Sequence, residues 1–178
     1  VAVGSLAAIA IALGAAAGAA GSSPSTPPPC TAAAIVTWIN TTGSGAAGSF
    51  SYLLEFTNLS GHTCRLTGYP GVSGVDLAGH QLGSSASRDP QHPAATITLS
   101  SATRADAGGT TATAVLQITD VANYPTSTCR PTTAAGLRIY APGQTASTVV
   151  PFPFRACART AAHYLSVQAV TKQATGGY

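Results

Sequence analysis

Charge is scarce in this 178-residue chain: eight Lys and Arg, five Asp and Glu, and a formal net charge of +3. A nucleic-acid footprint needs a clustered basic face. Here the arginines at positions 65, 88, 104, 130, 138, 155 and 159 are dispersed and Lys172 is the only lysine, so that class is excluded. Methionine is absent, which leaves a soft-metal site poorly supplied once the cysteines pair. No Cys-x-x-Cys occurs, and the closest cysteines, Cys129 and Cys157, are 28 apart, so zinc fails on spacing. There is no Gly-x-Ser-x-Gly elbow, no phosphate loop and no dinucleotide fingerprint. A sustained apolar stripe at helical spacing is missing too, because Gly or Pro interrupts nearly every candidate window.

What is there begins with an uncharged leader. Val1 to Ala20 has Ser5 as its one polar residue, its most apolar stretch runs from Leu6 to Leu13, and Ala17-Gly18-Ala19 follows. Small-x-small after an apolar run fits a signal-peptidase site. The expectation is a secretory signal peptide over residues 1–20, although no Lys or Arg precedes the apolar run and the chain starts at Val1. The competing reading is an uncleaved membrane anchor. The length would allow it, but Ala and Gly contribute little transfer energy. A lipid anchor is opposed by Cys30, which follows Pro27-Pro28-Pro29 far beyond the apolar run. Residues 21–29 form a Ser/Pro/Thr/Gly linker that should be extended. A folded domain follows over 30–171, long enough for one sizeable core, and 172–178 is a flexible tail.

Cys30, Cys64, Cys129 and Cys157 form an even set, which in an exported chain reads as a disulfide framework. Four cysteines permit three pairings. Cys30–Cys64 and Cys129–Cys157 are preferred, because each would join neighbouring strands.

The dominant period is two. Phe50, Tyr52, Leu54 and Phe56 alternate with Ser51, Leu53, Glu55 and Thr57, the clearest strand and one with an aromatic face for the core. Ile35, Thr37 and Ile39 precede it, alternating with Val36 and Trp38. Thr96–Leu99, Thr111–Ile118, Leu137–Tyr140 and Leu165–Val170 also read as strands. Ala78-Gly79 reads as the turn of a hairpin between Val72–Leu77 and Gln81-Leu82. Seven to nine short strands between turn signals predict an all-β antiparallel sandwich.

The run from Phe56 to Val72, which contains Asn58-Leu59-Ser60-Gly61-His62-Thr63-Cys64 and Gly68-Tyr69-Pro70-Gly71, resembles the signature of the domain-of-unknown-function 4232 family (DUF4232). Asp76 to Gly83 continues the match, and the later cysteines fit it. The family comprises secreted or envelope-anchored actinobacterial proteins. The resemblance implies an immunoglobulin-like sandwich with two disulfides, and it brings no activity or catalytic residue. One departure is the segment Ser100 to Gly109, longer than the family's Pro-Gly turn at that place and without proline.

Candidate chemistry is thin. Glu55 falls on the polar face of its strand, and Asp76, Asp89, Asp106 and Asp120 fall in expected loops. No motif links two carboxylates in glycosidase fashion, and a Ser-His-Asp triad has no support beyond composition. His62, His80, His92 and His163 lie in loops or at a strand start. His62, Asp76 and His80 could converge if the turns at one end of the sandwich meet. Asn40-Thr41-Thr42 and Asn58-Leu59-Ser60 match the N-glycosylation pattern, a chance match in a Thr/Ser-rich chain. No catalytic residue, metal ligand or cofactor is assigned.

The expected function is a non-enzymatic binding module, exported to the cell envelope or beyond. Its partner would be a protein or carbohydrate held by end loops, such as Gly83–Pro93 and Ser100–Thr110, or by a sheet face. No nucleic acid is expected, and membrane contact only if the leader is uncleaved. The alternative is a secreted protease inhibitor presenting Arg130 on the loop Thr128-Cys129-Arg130-Pro131. A hydrolase is the third reading, and it requires acidic residues or a Ser-His pair gathered in a cleft.

Overall fold

The computed structural model describes residues 1–2, 25–102 and 109–172. The leader's apolar run and cleavage pattern, the first part of the linker, Asp106 and Arg104, and residues 173–178 of the tail lie outside the described residues. Twelve strands are described: β1 (Ile35–Ala46), β2 (Ser49–Asn58), β3 (Cys64–Thr67), β4 (Gly71–Val75), β5 (Gln81–Leu82), β6 (Ser87–Arg88), β7 (Thr96–Leu99), β8 (Thr111–Thr119), β9 (Pro131–Tyr140), β10 (Ser147–Cys157), β11 (Leu165–Val167) and β12 (Thr171–Lys172). Three of them have only two residues. The large sheet runs β1-β2-β8-β11-β6 with β12 also on β8, a second runs β10-β9-β4-β5, and β3 pairs with β7. Every pairing between these strands is antiparallel except β11 with β6. This is the expected all-β, immunoglobulin-like antiparallel sandwich. Among the described residues, no helix is long and apolar enough to cross a membrane.

Period-two alternation builds the core. Phe56 faces Ala112 and Leu54 faces Ala114 across β2 and β8, and all four side chains are buried. Large residues on one strand meet small ones on its neighbour, which lets the second sheet pack close. Leu137, Ile139 and Val72 come from that second sheet. Tyr164 is the largest fully buried side chain, and its hydroxyl donates to the Leu82 carbonyl at 3.1 Å. Desolvation holds its phenol well above the ordinary range.

Local chemistry sets the turns. β1 and β2 meet at Ala47 and Gly48, both at positive φ (45° and 81°), the two-residue geometry that matches strand twist. The Gly48 carbonyl is then held by the Asp120 backbone N–H and the Asn123 side-chain amide. The predicted hairpin around Ala78-Gly79 is present, with Gly79 at φ 81° and β4 ending at Val75.

Both preferred disulfides form, Cys30–Cys64 and Cys129–Cys157, and all four cysteines are buried. Their setting corrects the expectation that each joins two strands. Cys30 precedes β1, on a segment whose Pro29 bridges Arg65 of β3 in parallel. Cys129 closes a one-turn helix, Thr126–Cys129, while Cys157 ends β10. Each disulfide therefore closes a covalent ring around one long hairpin: β1–β2 inside 30–64, and β9–β10 inside 129–157.

Three features depart from the sequence reading. β10 was not foreseen, and it contains Pro151 and Pro153. It is the edge of its sheet, where a missing N–H removes no ladder bond on the open side. The register with β9 shifts between Pro151 and Phe154. β9 begins at Pro131, six residues before the expected start. Phe50 lies on the core-facing side of β2 but is 48% exposed, because it stands where the sheets part at one end.

Candidate functional site

Three of the described carboxylates, Asp76, Asp89 and Asp120, fasten local turns. Asp76 accepts the His80 backbone N–H at 2.8 Å and lies 3.2 Å from the His80 ring. The backbone N–H of His80, with its ring, holds the Asp76 carboxyl below its ordinary value. Asp89 accepts the Gln91 N–H at 2.9 Å and meets His92 Nδ1 at 2.7 Å. That backbone donor first, then the His92 ring, lowers its pKa. Tyr69 pins the same loop by donating to the carbonyls of Asp89 and His92 at 3.2 and 2.7 Å. Asp120 caps a short 3₁₀ turn through the Ala122 N–H.

The suggested convergence of His62, Asp76 and His80 does not occur. Among the described residues, no three His, Cys, Asp or Glu side chains gather to hold a metal. Among the described residues one serine and one histidine side chain approach each other, Ser84 Oγ to His163 Nδ1 at 3.3 Å. The Ser84 hydroxyl also reaches the Ala162 carbonyl, and among the described residues no carboxylate orients the ring. A triad needs that third group.

The proposed inhibitory loop has the wrong shape. Thr126–Cys129 is helical and Arg130 is its left-handed cap, at φ 49°, ψ 75°. Ala158 and Arg159 donate to the Arg130 and Cys129 carbonyls, so the segment is tied down and not extended. The Asn58 glycosylation pattern also fails, because Asn58 is fully buried and its amide is used internally.

The outer face of the large sheet is different. Register places its outward residues in three rows. Trp38, Glu55, Thr113 and Thr171 form the first. Asn40, Leu53 and Val115 form the second, extended by Gln168, whose N–H donates to the Val115 carbonyl. Ser51, Gln117 and Ser166 form the third. Strands are about 4.8 Å apart, so a row spans about 14 Å from β1 to β11. Trp38 is 51% exposed at one corner. At the opposite corner a hollow of about 120 Å³ is lined by Ser51, Asp89, Val115, Gln117, Ser166 and Gln168.

The polar groups on this face hold one another. Asn40 donates to Glu55 at 3.4 Å, Gln117 to Ser49 at 3.2 Å, and Ser166 to Gln117 at 3.4 Å. No lysine and no described arginine occupies a position in the rows. Sequence reading named Trp38 and Glu55 as members of adjacent strands. It missed the assembled face, because β8 and β11 bring their residues to it from more than 50 positions away.

A second opening lies at the end where the sheets part. It measures about 290 Å³ and is lined by Phe50, Tyr52, Ile118, Val121, Pro153 and Phe154, with Asp120 and Arg155 beside them. Behind it, Tyr52 meets Phe152 edge-on at 4.9 Å.

A family model with the description Domain of unknown function (DUF4232) matches residues 30–172. No curated protein and no solved structure matches the chain.

Proposed function

The chain belongs to the DUF4232 family, and from that membership we propose a non-enzymatic binding module, exported by an actinobacterium and working at the cell envelope or outside it. Two disulfides favour an oxidising, extracellular setting. The binding surface is the outer face of the large sheet. The observation that carries this reading is the joining, on one paired face, of a half-exposed tryptophan with hydrogen-bonding side chains already held by their neighbours. Side chains fixed before binding lose less freedom when a partner arrives. Among the described carboxylates, Asp76, Asp89 and Asp120 each accept a backbone N–H within their own turn.

The test is retention of the full chain on washed cell-envelope fractions, comparing wild type with Trp38→Ala/Gln117→Ala. The reading expects retention of the wild type and its loss in the double variant. Equal retention of both would move the binding surface elsewhere, and turnover of an envelope component by the protein would replace the reading with an enzyme.

A further inference from the structure

We propose that the outer face of the large sheet is a glycan site for a neutral, hydroxyl-rich polysaccharide chain. The inference rests on the binding-face reading above and names its ligand. Three properties of the face point to this chemistry.

The first is a half-exposed indole, Trp38, on the outward side of the edge strand β1. A sugar ring has an apolar C–H face, and an aromatic side chain offers a large apolar surface that loses little rotamer freedom on contact. The second is the array beyond it. Gln117 and Gln168 each carry an amide with both donors and an acceptor, and Ser51 and Ser166 are both donor and acceptor. A ring hydroxyl is likewise donor and acceptor, so each of these groups can meet one in either sense. Between the indole and the hollow lie Leu53, which is buried, and Val115, half-buried and the apolar surface a ligand would meet there. Apolar and polar contacts thus alternate along the face, as they do along a glycan chain.

The third is charge. Glu55 lies in the first row, and Asp89 borders the hollow. With no cation in the rows, and Arg88 and Lys172 standing beside them rather than in them, a phosphate, sulfate or uronate chain laid along the rows meets carboxylates. A neutral polyol meets acceptors for its hydroxyls. The span of about 14 Å over four strands suits several consecutive rings, which makes a polymer a better ligand than a single sugar.

The experiment is affinity electrophoresis of the full chain through gels containing xylan, mannan, dextran or arabinogalactan, with alginate as the anionic counterpart. Retardation by at least one neutral polymer is expected, weakened about tenfold or more in Trp38→Ala, weakened in Gln117→Ala, and kept in Trp38→Phe. Leu77→Ser, which changes an exposed apolar residue on the β4–β5 turn, should migrate as wild type. Stronger retardation by alginate overturns the neutral-ligand assignment, and retardation unchanged by Trp38→Ala overturns the site. If none of the neutral polymers retards the protein while envelope retention still depends on Trp38 and Gln117, the glycan inference falls alone. Loss of both results takes the binding-face reading with it.

Discussion

The side-chain amide of Asn58 donates to the main-chain carbonyl of His62 at 2.8 Å. The same nitrogen reaches the carbonyls of Ser100 and Leu99 at 3.1 and 3.4 Å, and the Asn58 carbonyl oxygen accepts from Ser60. One buried side chain thus ties the end of β2 to the loop before β3 and to the segment after β7. Asn58→Ala leaves those carbonyls without their donor, and a loss of about 2–4 kcal/mol is expected in urea unfolding.

Asn58→Asp separates this role from simple space filling. A buried carboxylate facing three carbonyls has its folded pKa raised above the unfolded value of about 4. Both states are protonated below that value, so the variant is least impaired there. Stability falls as pH rises through the folded pKa. A pH series of unfolding midpoints should diverge from wild type toward neutral pH, and parallel curves would refute the buried role.

Removing the disulfides as Ala pairs tests the two rings. The chain-entropy model gives about 3–4 kcal/mol for loops of these lengths, 34 and 28 residues apart. Unfolding of Cys30→Ala/Cys64→Ala and Cys129→Ala/Cys157→Ala, each with the other bridge intact, should show similar losses. A loss under about 1 kcal/mol in either would mean the unfolded chain is already constrained there.

Gly136 shows where β9 and β10 approach too closely for a side chain. A Cβ at this position would lie 2.5 Å from the Val150 carbonyl oxygen, and backbone cannot rotate away. Gly136→Ala is expected to cost about 1–3 kcal/mol. Gly61→Ala is the comparison, with nothing within 4 Å of its Cβ, and it should change the unfolding midpoint little.

The loop 89–92 should loosen in acid. Asp89 has its pKa lowered, first by the Gln91 N–H and then by His92. A depressed carboxylate stabilises the fold above its ordinary value of 3.8 and loses that contribution as pH falls through the lower folded value. Carboxyl NMR titration should place the Asp89 midpoint below 3.8, and amide exchange at Gln91 should quicken in Asp89→Asn at neutral pH. An unshifted midpoint would contradict the hydrogen bonds of this loop.

Much of the scaffold was legible. Strict alternation in Phe50–Phe56 and Thr111–Ile118 carried enough information to set both strands and their buried sides. Thr96–Leu99 and the Ala78-Gly79 turn were equally plain, since short β-branched runs and turn residues act locally. β10 was not, because proline in a run argues against a strand unless its place at an edge is known, and edge position is a property of the whole sheet. The far end of β1, Ser44 to Ala46, lies beyond the alternating run Ile35–Ile39 and pairs with β2 only after a register shift between Asn40 and Ser44.

The candidate face was harder still. Each of Ser51, Gln117, Ser166 and Gln168 reads as an ordinary solvated position, and only register brings them together. Asn58 stands among Ser60 and Gly61, residues that favour turns. Its burial depends on Ser100 and Leu99, more than 40 residues away, so neighbouring sequence carried no sign of it.

The two covalent rings have a mechanical consequence. A pull applied to residues 25–29 enters the domain at Cys30 and passes through sulfur to Cys64. The β1–β2 hairpin lies inside that loop and is bypassed by the tension. The β9–β10 hairpin is shielded in the same way between Cys129 and Cys157. At the edge of each sheet, where a tugged strand would otherwise peel first, the load is borne by covalent bonds, and the strands of the proposed ligand face next to Trp38 keep their register under force.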